Sequence, residues 1–338
     1  MLSDLAAPAG ASLTVNSQGN VSAGAINIGA GTLLMTADSD NDGTHSLSSA
    51  AINAGNVLLG GGGTGENDTI NLLFDVNSAG AIIVQNFATA NIGGSIDSDV
   101  NLTALGGSID ISSNVGIIRL LGAAGETYTF SNQNGGMSYA PIQATNDVNL
   151  TLNSSGSAAI RTIDLNNGDF TANAGLSNSG NNLASIEAND ILINGAVTSG
   201  SNGAFNIIVN NGGVLTITES SSFALDGPFS QTEGADSAAS VQLGGSITTT
   251  GDNISFASPI ELNGTVTLTA VAGSISFADI ITGDSLVIQS ANNVSFDNSM
   301  LLQSIRQVAG TGTTTSVSYT HLRAHETKAN LVCRLLLE

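Results

Sequence analysis

One tripeptide returns at a nearly constant interval, and this narrows the choice of folds more than any other feature of the chain. It reads Ile254-Ser-Phe256, Ile275-Ser-Phe277 and Val294-Ser-Phe296, at spacings of 21 and 19 residues. Two other positions keep the same beat. Val266-Thr-Leu268 and Leu286-Val-Ile288 lie 20 apart, as do Ile260, Ile280 and Met300. Self-similarity at such a period marks architectures built by stacking one small unit on the next.

Each unit alternates apolar and small polar residues, then closes on Gly, Asn or Asp. A period of two sends Ile254 and Phe256 to one face of a strand and Ser255 to the other. Strands this short cannot persist alone. Coiling the chain solves the problem, because every turn pairs in parallel with the turns before and after it. Equivalent residues then stack about 4.8 Å apart, which places Phe256, Phe277 and Phe296 in one interior column. Asn263-Gly264 and Gly283-Asp284 supply residues that tolerate positive φ and are predicted to form corners. Val287 is the exception, since this register points it outward.

Weaker copies lie upstream. Asp99-Val-Asn-Leu-Thr103 recurs as Asp147-Val-Asn-Leu-Thr151, and Asn189-Asp-Ile-Leu-Ile-Asn194 shares its grammar with Gly212-Gly-Val-Leu-Thr-Ile217. Gly93-Gly-Ser-Ile-Asp97 returns as Gly106-Gly-Ser-Ile-Asp110 after 13 residues, a spacing that suits two sides of one coil. The prediction is one elongated all-β domain over residues 1–316. At about 20 residues per coil it holds roughly 15 coils and reaches on the order of 70 Å.

Composition supports a stacked fold and excludes several functions. Charged residues are 10% of the chain and hydrophobic ones 41%, too little charge and too much apolar content for a solvated disordered tail. No apolar run approaches the roughly 18 residues of a membrane span, so membrane insertion is not expected. The formal net charge is −21. Such a surface repels phosphates and anionic headgroups, disfavours nucleic acid, and suits cations or a salty medium. The opening MLSDLAAPAGASLTV has no basic n-region and no long apolar h-region. A signal peptide is therefore absent, or the piece begins inside a longer protein.

Residues 317–338 are of another kind. They hold the only lysine (Lys328), the only cysteine (Cys333), and His321 and His325. Read as function, the two histidines and the cysteine form a metal trio; read as structure, Leu331–Leu337 docks as a helix. A third reading fits better. Val317 to Thr327 resembles the translation of a transposase-type sequencing adapter, and Leu331 to Glu338 resembles its far end, with Lys328, Ala329 and Asn330 where a variable index falls. The tail is accordingly expected to be non-native and is given no function. With it set aside, Arg119, Arg161 and Arg306 are the three bases left, each expected to pair with a surface charge.

The stretch SQTEGADSAASVQLGGSITTTGDNISFASPIELNGTVTLTAVAGSISF resembles repeats of very large bacterial surface proteins of the filamentous-haemagglutinin-like type. The likeness is good over 229–310 and diffuse over 1–228. It implies a secreted, right-handed parallel β-helix (β-solenoid) that serves as a stalk or adhesin at the bacterial cell surface. It transfers no catalytic residues.

The most chemical-looking stretch is Asp38-Ser-Asp-Asn-Asp-Gly43. Carboxylates at Asp38, Asp40 and Asp42 followed by Gly match the opening of a calcium loop. The twelfth position is Ser49, so the bidentate Glu is missing. Two readings stay open, a solvated acidic turn or a weak Ca²⁺ site, and no other cofactor is expected. Gly60-Gly-Gly-Gly-Thr-Gly-Glu-Asn-Asp-Thr-Ile70 resembles one calcium-binding nonapeptide of the RTX kind, interrupted by Glu66; as a P-loop it lacks the Lys. A flexible Gly turn is the simpler reading. Asp97 and Asp99 share a strand face but have no basic neighbour in sequence, and His45 is expected in an exposed loop. The chain therefore reads as a non-enzymatic stalk or adhesive segment with glycans or cell-surface components as partners. Its open coil ends are expected to self-associate. The alternative is a calcium-stabilised exoprotein or a β-helix carbohydrate-active enzyme.

Overall fold

The computed structural model describes residues 4–6, 8, 10–40, 43–61, 68–72, 74–93, 101–112, 115–178, 183–234 and 239–316. Asp42, Asp97, Asp99 and the whole of 317–338 lie outside the described residues. The described chain is an all-β parallel solenoid without a helix, about 22 residues per turn and about 13 turns. The turn length agrees with the expected coil of about 20 residues, while the turns are fewer than the roughly 15 expected. At one strand spacing per turn the rod measures on the order of 60 Å, against the roughly 70 Å that the sequence predicts.

Each turn up to residue 250 lays down three short strands. In one such turn Ile26–Asn27 joins a first ladder, Thr32–Thr36 a second and Ser46–Ser49 a third. Every ladder pairing is parallel, between strands one turn apart. The interior is a set of apolar columns. One runs Val21, Leu47, Ile70, Ala90, Ile118, Ile142, Ile163, Ile186 and Ile207 along the third ladder. Steps along it vary from 20 to 28 residues, because the corners between the strands differ in length.

Above Ile207 the column admits a buried amide, Gln231, before reaching Phe256, Phe277 and Phe296. Gln231 is tolerated because it is fully satisfied. Its Nε2 donates to Ser258 Oγ at 2.9 Å and Thr232 O at 3.0 Å, and its Oε1 accepts the N–H groups of Ala257 and Ser258 at 3.1 Å. The predicted Phe column is present. The rings of Phe256 and Phe277 are parallel with centroids 5.7 Å apart, and those of Phe277 and Phe296 are 4.9 Å apart. Edge and tilted contacts extend this spine back through Phe229 and Phe223 to Phe205.

From residue 260 the first two ladders fuse. Ile260–Thr269 is one ten-residue strand that pairs with Ser240–Leu243 at one end and Ser246–Thr249 at the other. Asn263-Gly264 is thus no full corner. It is a bulge within the strand, two residues opposite Asp284, with Gly264 at φ +85°. The bulge also moves one expected equivalence. Ile260 pairs with Ile281, while Ile280 sits one place off the column. Beyond the bulge Val266 faces Leu286 and Leu268 faces Ile288, as expected. Val287 does face outward and is half-buried between Thr267 and Arg306.

Upstream, Ile191 and Ile193 stack on Leu215 and Ile217, so that pair of motifs is in register. The two Asp-Val-Asn-Leu-Thr copies are not. Leu102 stacks on Phe130 and then Leu152, which leaves Leu150 two residues out of step.

Acidic and amide side chains at the corners staple turn to turn. Asp190 Oδ1 accepts Val214 N–H at 2.8 Å, Asp75 Oδ1 accepts Asn101 N–H at 2.8 Å, and Asn253 Oδ1 accepts Ser274 N–H at 2.8 Å. Asp226 takes the Thr250 hydroxyl and the Asn202 N–H, and these bonds hold its carboxyl below the usual carboxylate range. Many of the acids that give the chain its charge are structural acceptors, a use that composition alone did not suggest.

Candidate functional site

The described ends of the two stretches singled out separately in sequence lie at equivalent places on consecutive turns. Asp38 follows Thr32–Thr36 and His45 precedes Ser46–Ser49, while Gly61 follows Asn56–Gly60 and Asp68 precedes Thr69–Leu72; residues 41, 42 and 62–67 lie outside the described residues. Because Ser46 pairs with Thr69, the residues just before them, His45 and Asp68, stack on one another. Thr69 N–H donates to His45 O at 3.0 Å, and His45 N–H donates to Asp68 Oδ1 at 2.8 Å. The Asp68 carboxylate thereby caps the turn beneath it.

Asp38 approaches from the other end of its own corner. It holds a left-handed backbone, φ 54°, which Asp tolerates better than most residues. Its side chain is 0% exposed, and Oδ1 lies 3.3 Å from His45 Nδ1. Asp68 is equally buried, while His45 keeps 21% of its side-chain surface. The expectation of an exposed His45 is corrected: stacking against the next turn half-buries it. One ligand atom from each of Asp38, His45 and Asp68 lies within 4.8 Å of the other two. Two full negative charges at about 5 Å in an effective dielectric of about 20 repel by about 3 kcal/mol, so a buried pair of carboxylates calls for positive charge between them.

Of the carboxylates in the calcium-loop reading, Asp38 is buried in this cluster, Asp40 is exposed and stands apart from it, and Asp42 is outside the described residues. Sequence reasoning missed His45 and Asp68 as partners of Asp38. The signal was the 23-residue offset that stacks Ser46 on Thr69, hidden because neighbouring coils differ in length.

The outer face of the third ladder carries a second feature. Thr162, Ser185, Asn206, Ser230, Ser255, Ser276, Ser295 and Thr315 occupy one row, each paired in register with the next. Within it Ser230 Oγ donates to Asn206 Oδ1 at 2.7 Å. The three arginines are exposed, and among the described residues none lies within ion-pair distance of a carboxylate, contrary to expectation. No helix among the described residues is long and apolar enough to cross a membrane. Comparison with protein-family models, curated proteins and solved structures returns no match for this chain.

Proposed function

We propose that this chain is a rigid, non-enzymatic segment of an exported bacterial surface protein of the filamentous-haemagglutinin-like kind, acting as stalk and adhesive face. The observation that supports the reading most is the outer row that runs unbroken from Asn206 to Thr315. It sets hydroxyl and amide groups one strand spacing apart along a stiff support. Evenly spaced small donors and acceptors suit the repeated hydroxyls of a glycan chain, and the acidic remainder of the surface discourages phosphate-bearing partners.

A glycan array probed with the chain tests this. Binding to one oligosaccharide class is expected, and it should fall at least tenfold when Ser255, Ser276 and Ser295 are all replaced by Asp. Small-angle scattering should show the rod unchanged in that variant. Binding that ignores the substitutions removes the row from the function, and cleavage of any glycan on the array favours the carbohydrate-active reading instead.

A further inference from the structure

We propose that Asp38, His45 and Asp68 form a binding site for one divalent cation of the zinc class, which pins two consecutive turns of the solenoid at their shared corner. Three observations carry it. The ligands come from separate positions, two from one corner and one from the next, so a cation held by all three ties the turns together. Both carboxylates are 0% exposed and lie close together, and among the described residues the one basic side chain within ion-pair distance of Asp38 is the His45 imidazole. Finally, the contact between His45 Nδ1 and Asp38 Oδ1, at 3.3 Å, is longer than the roughly 2.7–2.9 Å of a charge-assisted hydrogen bond. It equals the edge of a tetrahedron, about 3.3–3.4 Å, spanned by two ligands that each sit about 2.0–2.1 Å from a zinc ion.

The donor set decides the class of metal. One imidazole nitrogen with two carboxylate oxygens suits zinc and its transition-metal neighbours, whereas calcium and magnesium take oxygen ligands. Bringing Asp68 to the same edge length requires about 1.5 Å of side-chain movement at most. His45 faces outward on its 21% exposed side, which gives the ion a route in and leaves solvent to complete its coordination. Among the described residues, Gly19 and Gly43 flank the imidazole and present no side chain to that route.

The test uses the full chain after chelator treatment and gel filtration. Zinc is expected to bind with one ion per chain at this site, and at about a hundred times the dissociation constant to raise the melting temperature by about 4–10 °C. Calcium at equal concentration should leave it unmoved. Asp68→Asn keeps the oxygen that accepts His45 N–H but loses the charge, so it should fold as judged by circular dichroism and lose at least tenfold in zinc affinity. His45→Gln should do the same, and Asp40→Ala should change nothing. Zinc held undiminished by His45→Gln would place it elsewhere, for instance on His321, His325 and Cys333, and would overturn the proposal. So would a calcium shift abolished by Asp40→Ala, which restores the acidic-loop reading, or no metal response at all.

Discussion

The turns before residue 250 and those after 254 share one interior yet obey different rules of length. Before 250 each turn has three strands and three corners, and the step between equivalent residues ranges from 20 to 28. After 254 each turn has a three-residue strand and one long strand, and the steps along the Phe column are 21 and 19. A corner can take up extra residues without disturbing the strands on either side, so coil length there is free to drift. A continuous strand takes one up only at a bulge such as Asn263-Gly264, because elsewhere each added residue reverses the facing of everything beyond it. Fusing two ladders therefore holds the period within one residue of 20, and aligned Phe rings follow. Buried polar groups divide the same way. Ser49 Oγ and Tyr139 Oη, in the three-strand region, are buried with no hydrogen-bond partner among the described residues.

The sharpest way to break this contrast is a single inserted glycine. Placed between Val266 and Thr267 it turns Leu268 and Ala270 outward and two threonines inward. Loss of at least about 5 kcal/mol is expected from the exposed apolar area and the buried hydroxyls together. Placed between Asn211 and Gly212, in an exposed turn, it should cost less than about 1 kcal/mol. Denaturant midpoints of the two variants measure the difference, and equal costs would mean that length is no more constrained in one region than in the other.

Phe277→Ala is the next largest. It removes a fully buried ring stacked on both sides and should destabilise by about 3–5 kcal/mol. Phe170 is as deeply buried but stacks on Leu150 and Ile191, so Phe170→Ala should cost about 1–2 kcal/mol less, the share owed to two aromatic contacts. Local hydrogen exchange on the neighbouring strands reads both losses; equal losses would deny the aligned rings any added value.

The smallest effect is a gain. Tyr139→Phe removes a buried hydroxyl with no hydrogen-bond partner among the described residues and should stabilise by about 1 kcal/mol. Burial pushes the Tyr139 phenol well above its ordinary value of 10.0. The folded state thus keeps its proton where the unfolded chain releases it. Stability owed to this group is whole below pH 10 and declines as pH rises beyond, and the Phe variant should lack that share of the decline. A melting series from pH 8 to 11 on both proteins checks the sign.

The legibility of the sequence follows the same divide. Ile254, Ile275 and Val294 were found because their coils are locked in length. A fixed interval of 20 failed by one residue at Ile280, since the Gly264 bulge puts two residues opposite one. Upstream, the drift in corner length hid the Asp-Val-Asn-Leu-Thr misregister. It also hid the stacking of His45 on Asp68.

The residue order by itself determined that this chain is all-β, parallel and coiled, because alternation with turn residues at short intervals leaves short strands no other partner. It also determined which side chains fill the locked columns. Only the tertiary structure decided where two ladders merge, how a buried Gln231 is satisfied, and that Asp38, His45 and Asp68 meet. Those outcomes depend on which turn lies over which, and that is set by the summed lengths of corners whose residues carry no periodic signal of their own.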